Sequence, residues 1–322
     1  MNALVDQLME RSPMQDHDGK SGALLEQARL ADGTRVVIKW LDRSADLVMQ
    51  ATGDEAGREY VLWRDGVLDR LPAGVGHAIL EGAPAPGGAV LVMRDVSKSI
   101  IGWSRQLSRA ECRQVLRAAT CLHAAFAGET ATLGPCSLVT WISILTPDTV
   151  RSVSGGDNPL PDLILRGWDL FASVAPADVA EVVLAVLDNP ELLARPLAAR
   201  PMTLIHGDLS LANIAVEEDQ MTLLDWGLAA IAPPAVELAS FLIDHVSQID
   251  ASHEQIIADF QEESADRADP IALKLALLAG LVELGWHKAL NATTHTDPAF
   301  RASERKDLEW WYHRAREAAP ML

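Results

Sequence analysis

Leu204-Ile205-His206-Gly207-Asp208-Leu209-Ser210-Leu211-Ala212-Asn213-Ile214, continued by Met221-Thr222-Leu223-Leu224-Asp225-Trp226-Gly227, is the stretch that decides what this chain folds into. A strand-like apolar run leads into His206-Gly207-Asp208, and Asn213 follows Asp208 by five residues. Glu217-Glu218-Asp219-Gln220 reads as a polar hairpin turn, and the second apolar run, Met221 to Leu224, delivers Asp225-Trp226-Gly227. Three oxygen-bearing side chains therefore stand out: Asp208, Asn213 and Asp225. Phosphoryl transfer asks little covalent chemistry of a protein. It needs one group to accept the proton of the attacking hydroxyl and hard oxygen ligands to fix magnesium against the phosphates. Taken singly, a His-Gly-Asp is more often a turn, and a strand-end Asp more often a turn cap. The ordered whole carries the inference.

Outward from this island, the first hundred residues are α+β in character. Residues 23–30 and 34–41 are strand-like, and Ala31-Asp32-Gly33 between them is a hairpin signal. Glu55 to Arg70 predicts a helix with Val61, Leu62, Val67, Leu68 and Leu71 on one apolar face. Ala89 to Met93 predicts another strand, after a turn-rich stretch with Pro84, Pro86, Gly87 and Gly88. Beyond Val96 helix dominates. Ser108 and Glu111 have the spacing of a capping box, which predicts a helix running to Phe126 and stopping near Gly128. Further helices are expected from Pro176 to before Asn189-Pro190, and from Pro270 to Leu290. No internal repeat occurs. The pattern predicts an N-terminal nucleotide-binding lobe, residues 1–96, and a helical C-terminal lobe, residues 97–322. The active site would fall in the cleft between them.

The bulk properties exclude several alternatives. The 322 residues are 49% hydrophobic and 22% charged, enough for a sizeable core. The net charge of −18 argues against a duplex-binding surface and against docking on anionic lipid. Cys112, Cys121 and Cys136 share no metal or redox spacing and fit a reducing compartment. Met1 to Met14 lacks the basic-then-apolar order of a signal peptide, and the apolar run from Ile271 to Trp286 is interrupted by Lys274 and Glu283. A cytoplasmic protein without nucleic-acid or membrane partners is expected.

The 204–227 stretch resembles the signature of the aminoglycoside phosphotransferase and choline kinase superfamily, small-molecule kinases with the protein-kinase-like bilobal fold. Gly207 stands where eukaryotic protein kinases have Arg, and Trp226 where they have Phe. The resemblance implies ATP and Mg2+ as cofactors, Asp208 as catalytic base, Asn213 and Asp225 as magnesium ligands, and His206 as an organiser of the loop. A kinase of this type also needs a Lys for the nucleotide phosphates, held by a Glu from the next helix. Lys39, in Val36-Val37-Ile38-Lys39-Trp40, has the context. Glu59, in Gly57-Arg58-Glu59, resembles the family's partner, with Glu55 as the second candidate.

Other segments fit in order. Asp18-Gly19-Lys20-Ser21-Gly22-Ala23 is similar to the family's nucleotide-covering loop and would contribute Ser21 and Gly22. It is not a Walker A loop, because Met14 stands where the first Gly is required. Leu91-Val92-Met93-Arg94-Asp95-Val96 resembles the interlobe hinge, with Met93, Asp95 and Val96 as nucleotide contacts and Arg94 as a departure from the usual acidic residue. Cys121-Leu122-His123-Ala124 resembles a Leu-His element in which the histidine is structural. One further departure marks a divergent subfamily. Where the family reads Gly-Asp-Pro-x-x-Asp, Pro233 takes the first Asp position and Glu237 the second.

The expected activity is transfer of the γ-phosphate of ATP to a small-molecule hydroxyl. A catalytically silent pseudokinase is the alternative. A protein kinase is disfavoured because Ala232-Pro233-Pro234 misses the Ala-Pro-Glu that ends an activation segment. Glu237, Asp244, Glu283, Trp286, Trp310 and Trp311 lie in the half of the chain that would bind the acceptor. The charge of −18 leans toward a cationic partner. Aminoglycoside, sugar and amino alcohol stay open.

Overall fold

A computed structural model describes residues 3–14, 22–128, 134–153, 158–218, 220–264 and 269–322. The N-terminal part runs α1 (Ala3–Asp6), β1 (Met9–Pro13), β2 (Leu24–Arg29), β3 (Arg35–Asp42), α2 (Leu47–Thr52), α3 (Arg58–Arg64), β4 (Val75–His77), β5 (Ile79–Ala85) and β6 (Gly88–Arg94). Five strands form an antiparallel sheet in the order β1-β2-β3-β6-β5. Strand alternation sorts β3 into two faces. Val36 and Ile38 join Val90 and Val92 of β6 in a small outer core. The intervening Val37, Lys39 and Leu41 face the opposite side, toward the cleft. Register thus decides which way the Lys39 side chain points.

Two expectations change here. The helix over 55–70 is only α3, followed by a 3-10 turn at Leu68–Arg70. The Asp54 carboxylate accepts the amides of Ala56, Gly57 and Arg58, so the chain before Arg58 is a cap and not a helical turn. At the other end Val67 N donates to Leu62 O and Gly66 N to Trp63 O, a Schellman stop that the apolar periodicity ran through. The turn-rich stretch around Pro84 holds strand β5. Its proline is tolerated because β5 is an edge strand and needs no donor on its outer side.

The C-terminal part runs β7 (Leu107–Ser108), α4 (Arg109–Ala125), α5 (Leu138–Ser143), α6 (Pro147–Ser152), α7 (Leu160–Val174), α8 (Ala177–Asp188), α9 (Glu191–Ala198), β8 (Thr203–Ile205), β9 (Ile214–Glu217), β10 (Gln220–Leu223), β11 (Ala230–Ala232), α10 (Pro234–His245), β12 (Ile249–Asp250), α11 (His253–Glu263), α12 (Pro270–Thr294) and α13 (Pro298–Ala318). The capping box is present at α4: Ser108 Oγ accepts the Glu111 amide while the Glu111 carboxylate accepts the Ser108 amide. The predicted helices at 176–189 and from Pro270 are α8 and α12, the latter a turn longer than expected. By length and composition α12 could cross a membrane. It is instead a core helix, packed against α7, α10 and α13 with Leu275, Leu278, Leu281 and Ala289 fully buried. The whole is a mixed α+β fold, an antiparallel sheet followed by a helical body.

A small sheet joins the two parts. β10 pairs in parallel with β4 and antiparallel with β9. The chain leaving β6 is fixed to the same island, since Ile101 N donates to Ile214 O at 2.9 Å and Gly102 N to Leu211 O at 2.9 Å.

Candidate active site

Between sheet and helices lies a cavity of about 720 Å³. The sheet side supplies Val37, Lys39 and Met93, the loop after β8 supplies Asp208 and Asn213, and α10 and α12 supply Asp244 and Glu283. Asp225 enters from the end of β10.

Lys39 is the junction. Its Nζ lies 2.8 Å from Glu59 Oε2 and 2.9 Å from Asp225 Oδ1. Burial alone would lower the ammonium's pKa, but the charges of Asp225 and Glu59 outweigh it and hold it above the usual lysine range. Burial pushes Glu59 up against the pull of Lys39. For Asp225 the order reverses: Lys39 overcomes burial and holds the carboxyl below its ordinary value. Glu59, not Glu55, is therefore the partner. Glu55 keeps 81% of its side chain in solvent and pairs at 3.4 Å with Arg43. Arg58 adds a bond from α3 to the carbonyl of Gly227, tying that helix to the Asp-Trp-Gly turn.

Asp225 has φ 62° and ψ 68°, a left-handed backbone that is costly for a non-glycine residue. Trp226, fully buried, holds the turn by donating Nε1–H to Leu223 O at 3.2 Å. The His206 ring packs edge-on against Trp226 with centroids 4.6 Å apart, and burial lowers its pKa. His206 is thus a packed, buried ring beneath the Asp-Trp-Gly turn.

Asp208 Oδ2 accepts Asn213 Nδ2 at 3.0 Å, and the same Nδ2 reaches the Asp208 carbonyl at 3.1 Å. Nδ2 is thus engaged with Asp208, and Asn213 as a whole lines the cavity. Burial, then the negative charges of Asp225 and Asp244, push the Asp208 carboxyl up to about 7, against the Asn213 hydrogen bond. A carboxyl at that value is matched to general-base work near neutrality.

The loop itself is over-determined. Gly207 has φ 83°, and a Cβ there would lie 2.0 Å from the Leu228 carbonyl, so only glycine fits. Its amide donates to Glu237 Oε1 at 2.8 Å and its carbonyl accepts Trp141 Nε1 at 3.0 Å. Glu237 Oε2 lies 2.7 Å from His123 Nε2. Burial would raise Glu237, but the hydrogen bond and charge of His123 hold its carboxyl below the ordinary value. Glu237 is consequently no acceptor ligand. It is 1% exposed and braces the loop, and His123 is its structural partner.

The remaining sequence candidates divide. Met93 and Val96 line the cavity. The Asp95 side chain does not: it accepts Ser97 and pairs with Arg35 at 3.2 Å. Arg94, the departure within the expected hinge, reaches Glu217 at 2.9 Å and so ties the end of β6 to β9. Gly22, with φ 104°, packs against the Ala45 carbonyl beside the cavity-lining Ala23. Ser21 lies outside the described residues. Trp310 and Trp311 lie away from the cleft, packed on His253, whereas Trp286, Asp244 and Glu283 line it. Glu283 Oε1 accepts Ser240 Oγ at 3.1 Å while its buried Oε2 has no partner. Burial, then Asp208 and Asp244, push its pKa well above the ordinary value. Sequence reasoning missed Trp141 and His245, which belong to no spacing that marks them, and it read Arg58 only as part of the stretch around Glu59.

The profile of a phosphotransferase enzyme family matches residues 104–271, just over half of the chain. No curated protein sequence matches. Among solved structures, the choline kinase LicA from Streptococcus pneumoniae superposes with a TM-score of 0.54 at 11% identity, covering 99% of this chain and 96% of that one. Spectinomycin phosphotransferase APH(9)-Ia, solved with ADP and spectinomycin, gives 0.54 at 14% identity over 99% and 97%. Aminoglycoside phosphotransferase APH(3'')-Id from Streptomyces rimosus, solved with ADP and streptomycin, gives 0.50 at 17% identity over 82% and 94%. At such identities the likeness is one of fold, the protein-kinase-like fold.

Proposed function

The chain belongs to the phosphotransferase enzyme family, and from that premise we propose that it moves the γ-phosphate of Mg-ATP to a hydroxyl of a small molecule. The observation that carries the proposal is the convergence of Asp208, with its raised pKa, Asn213 and the Lys39–Glu59–Asp225 cluster on one cavity.

Asp208 accepts the proton of the acceptor hydroxyl as its oxygen attacks the γ-phosphorus. The bond to the β–γ bridging oxygen breaks and ADP leaves. Lys39, positioned by Glu59, presents its ammonium to the nucleotide phosphates. Met93 and Val96, which line the cavity, would flank the adenine, and the backbone of this segment would bond its edge. The hinge would divide a nucleotide lobe, residues 1–96, from a catalytic and acceptor lobe, residues 97–322. The donor set fits magnesium: Asn213 brings an amide oxygen to the cavity lining, and Asp225 keeps 40% of its side-chain surface exposed beyond its bond to Lys39. Asn213 and Asp225 would hold that ion, which when bound supplies charge neutralisation at the leaving β-phosphate.

Asp244, Glu283 and Trp286 suit an acceptor rich in hydroxyl or amino groups, of the aminoglycoside, sugar or amino-alcohol kind. Burial of α12 in the protein core accords with a cytoplasmic enzyme. The test couples ADP release to a panel of aminoglycosides, sugars, amino alcohols and nucleosides, with Asp208→Ala as control. Acceptor-dependent ADP release that disappears in the variant is expected. Tight nucleotide binding with no release across the panel would point instead to a binding module.

A further inference from the structure

The loop that carries Asp208 and Asn213 rests on α10 at two amides. The first turn of the helix takes Gly207 N–H through Glu237. The last residue takes Leu211 N–H, which lies 3.1 Å from His245 Nε2. His245 is fully buried, with the Trp103 and Phe241 rings at 5.2 and 5.4 Å, so the imidazole cannot swing away.

The proton inventory around this ring follows from its neighbours. Gln248 Nε2 donates to the Trp103 carbonyl at 2.7 Å and faces the Arg105 carbonyl at 3.5 Å. Two carbonyls fix the carboxamide, so its Oε1 must face His245 Nδ1, at 2.9 Å. A carboxamide oxygen only accepts; Nδ1 therefore bears the hydrogen. In the neutral ring Nε2 is then bare, and a bare nitrogen is what the Leu211 amide requires. Two carboxylates face the ring. Asp244, on its own helix, has Oδ2 3.1 Å from Nε2, and Asp208 lies across the loop within electrostatic reach. A bare Nε2 offers Asp244 no donor, so that carboxylate, which a hydrogen from His245 would hold low against the effect of burial, competes with the Leu211 amide for the ring.

We propose that His245, as the neutral Nδ1–H tautomer set by Gln248, is a positioning residue for the phosphoryl-transfer loop. By accepting Leu211 N–H it fixes the turn Leu211–Asn213, and with it Asn213 and the Asp208 carboxylate that Asn213 holds. The competing arrangement is an imidazolium that donates Nε2–H to Asp244 and abandons the Leu211 amide. The proposal takes its catalytic meaning from the phosphotransferase function above, but two of its three tests need no turnover.

The first test is the 15N spectrum of the histidine rings in the full chain, with His245 assigned by its disappearance in His245→Gln. A protonated Nδ1 and an unprotonated Nε2 are expected near neutral pH. A ring protonated at both nitrogens overturns the proposal, and the measurement is made on the unaltered chain, the variant serving only for assignment. The second is hydrogen exchange at the Leu211 amide. Protection should persist in His245→Gln, whose Oε1 can take the amide, and fall in His245→Leu. Unchanged protection in His245→Leu overturns it. The third is kinetic: His245→Leu should lower kcat by about tenfold to a hundredfold with KM for ATP little changed, and His245→Gln should recover most of the loss. An equal loss in both variants, with Leu211 protection retained, counts against positioning. A chain that transferred phosphate to no acceptor would sink the functional proposal while the spectrum and the exchange still decided the role of His245.

Discussion

Lys39 of β3 is bonded to Asp225 at the end of β10, Nζ to Oδ1 at 2.9 Å, although 186 residues separate them in the chain. The same ammonium holds Glu59 of α3 at 2.8 Å. One buried cation thus joins the sheet, its helix and the Asp-Trp-Gly turn.

Removing that cation exposes how much depends on it. Lys39→Met leaves Glu59 buried beside Asp225 with no counter-charge. The expected loss is about 3–5 kcal/mol of unfolding free energy, as for other broken buried pairs. Adding Glu59→Gln should restore part of it. Urea denaturation of the single and double variants checks both, and a single variant as stable as wild type would contradict the structural role.

The acid limb of the rate profile should report Asp208. Its carboxyl, pushed up to about 7, must be unprotonated to accept a proton, so kcat/KM should be half-maximal at about pH 7 and level off roughly a unit above. Asp244→Asn removes one of the negative charges that raise Asp208. The limb should then move to lower pH. A limb that stayed in place would assign it to another group.

The same shift has a stability consequence. A carboxyl whose pKa is higher in the folded than in the unfolded chain binds more protons when folded, so its contribution to stability falls as pH rises from about 4 through 7. Asp208→Asn abolishes that ionisation. The variant should melt higher than wild type at pH 8, with the gap closing by pH 5, while kcat drops by about a hundredfold or more. Thermal unfolding at the two pH values decides it.

The brace beneath the loop should be as sensitive as the base. Glu237→Ala strands the Gly207 amide and His123 together, at a cost of about 3–5 kcal/mol. Gly207→Ala forces a Cβ to within 2.0 Å of the Leu228 carbonyl and should cost activity through displacement of Asp208. Calorimetry and turnover of the two variants measure these effects, and a Gly207→Ala enzyme of normal activity would overturn the steric account.

Much of this was legible before folding. The five-residue step from Asp208 to Asn213 and the strand-delivered Asp225 could be picked out, because the metal-binding loop proposed here needs those residue types at fixed offsets. Ser108 and Glu111 announced α4 for a similar reason: a capping box is local, and local chemistry is written in adjacent letters. The helix over 55–70 was overextended where local chemistry was present but subordinate to periodicity. Asp54 and the Schellman stop at Gly66 end what the apolar spacing alone would continue.

The sequence by itself determined the chemistry of the centre: which oxygens could serve it, which lysine could face phosphate, and that a sheet precedes a helical body. Only the tertiary structure decided which partners those groups take. Glu59 rather than Glu55 meets Lys39 because α3 starts at Arg58 and turns one carboxylate inward. Glu237 supports the loop and does not line the acceptor cavity because α10 buries its first turn beneath Gly207. His245 reaches Leu211 by the same packing. The physical reason is range. Motif spacing encodes contacts made within a turn or a hairpin, whereas the partner of a buried charge is fixed by the burial of apolar surface across the whole chain.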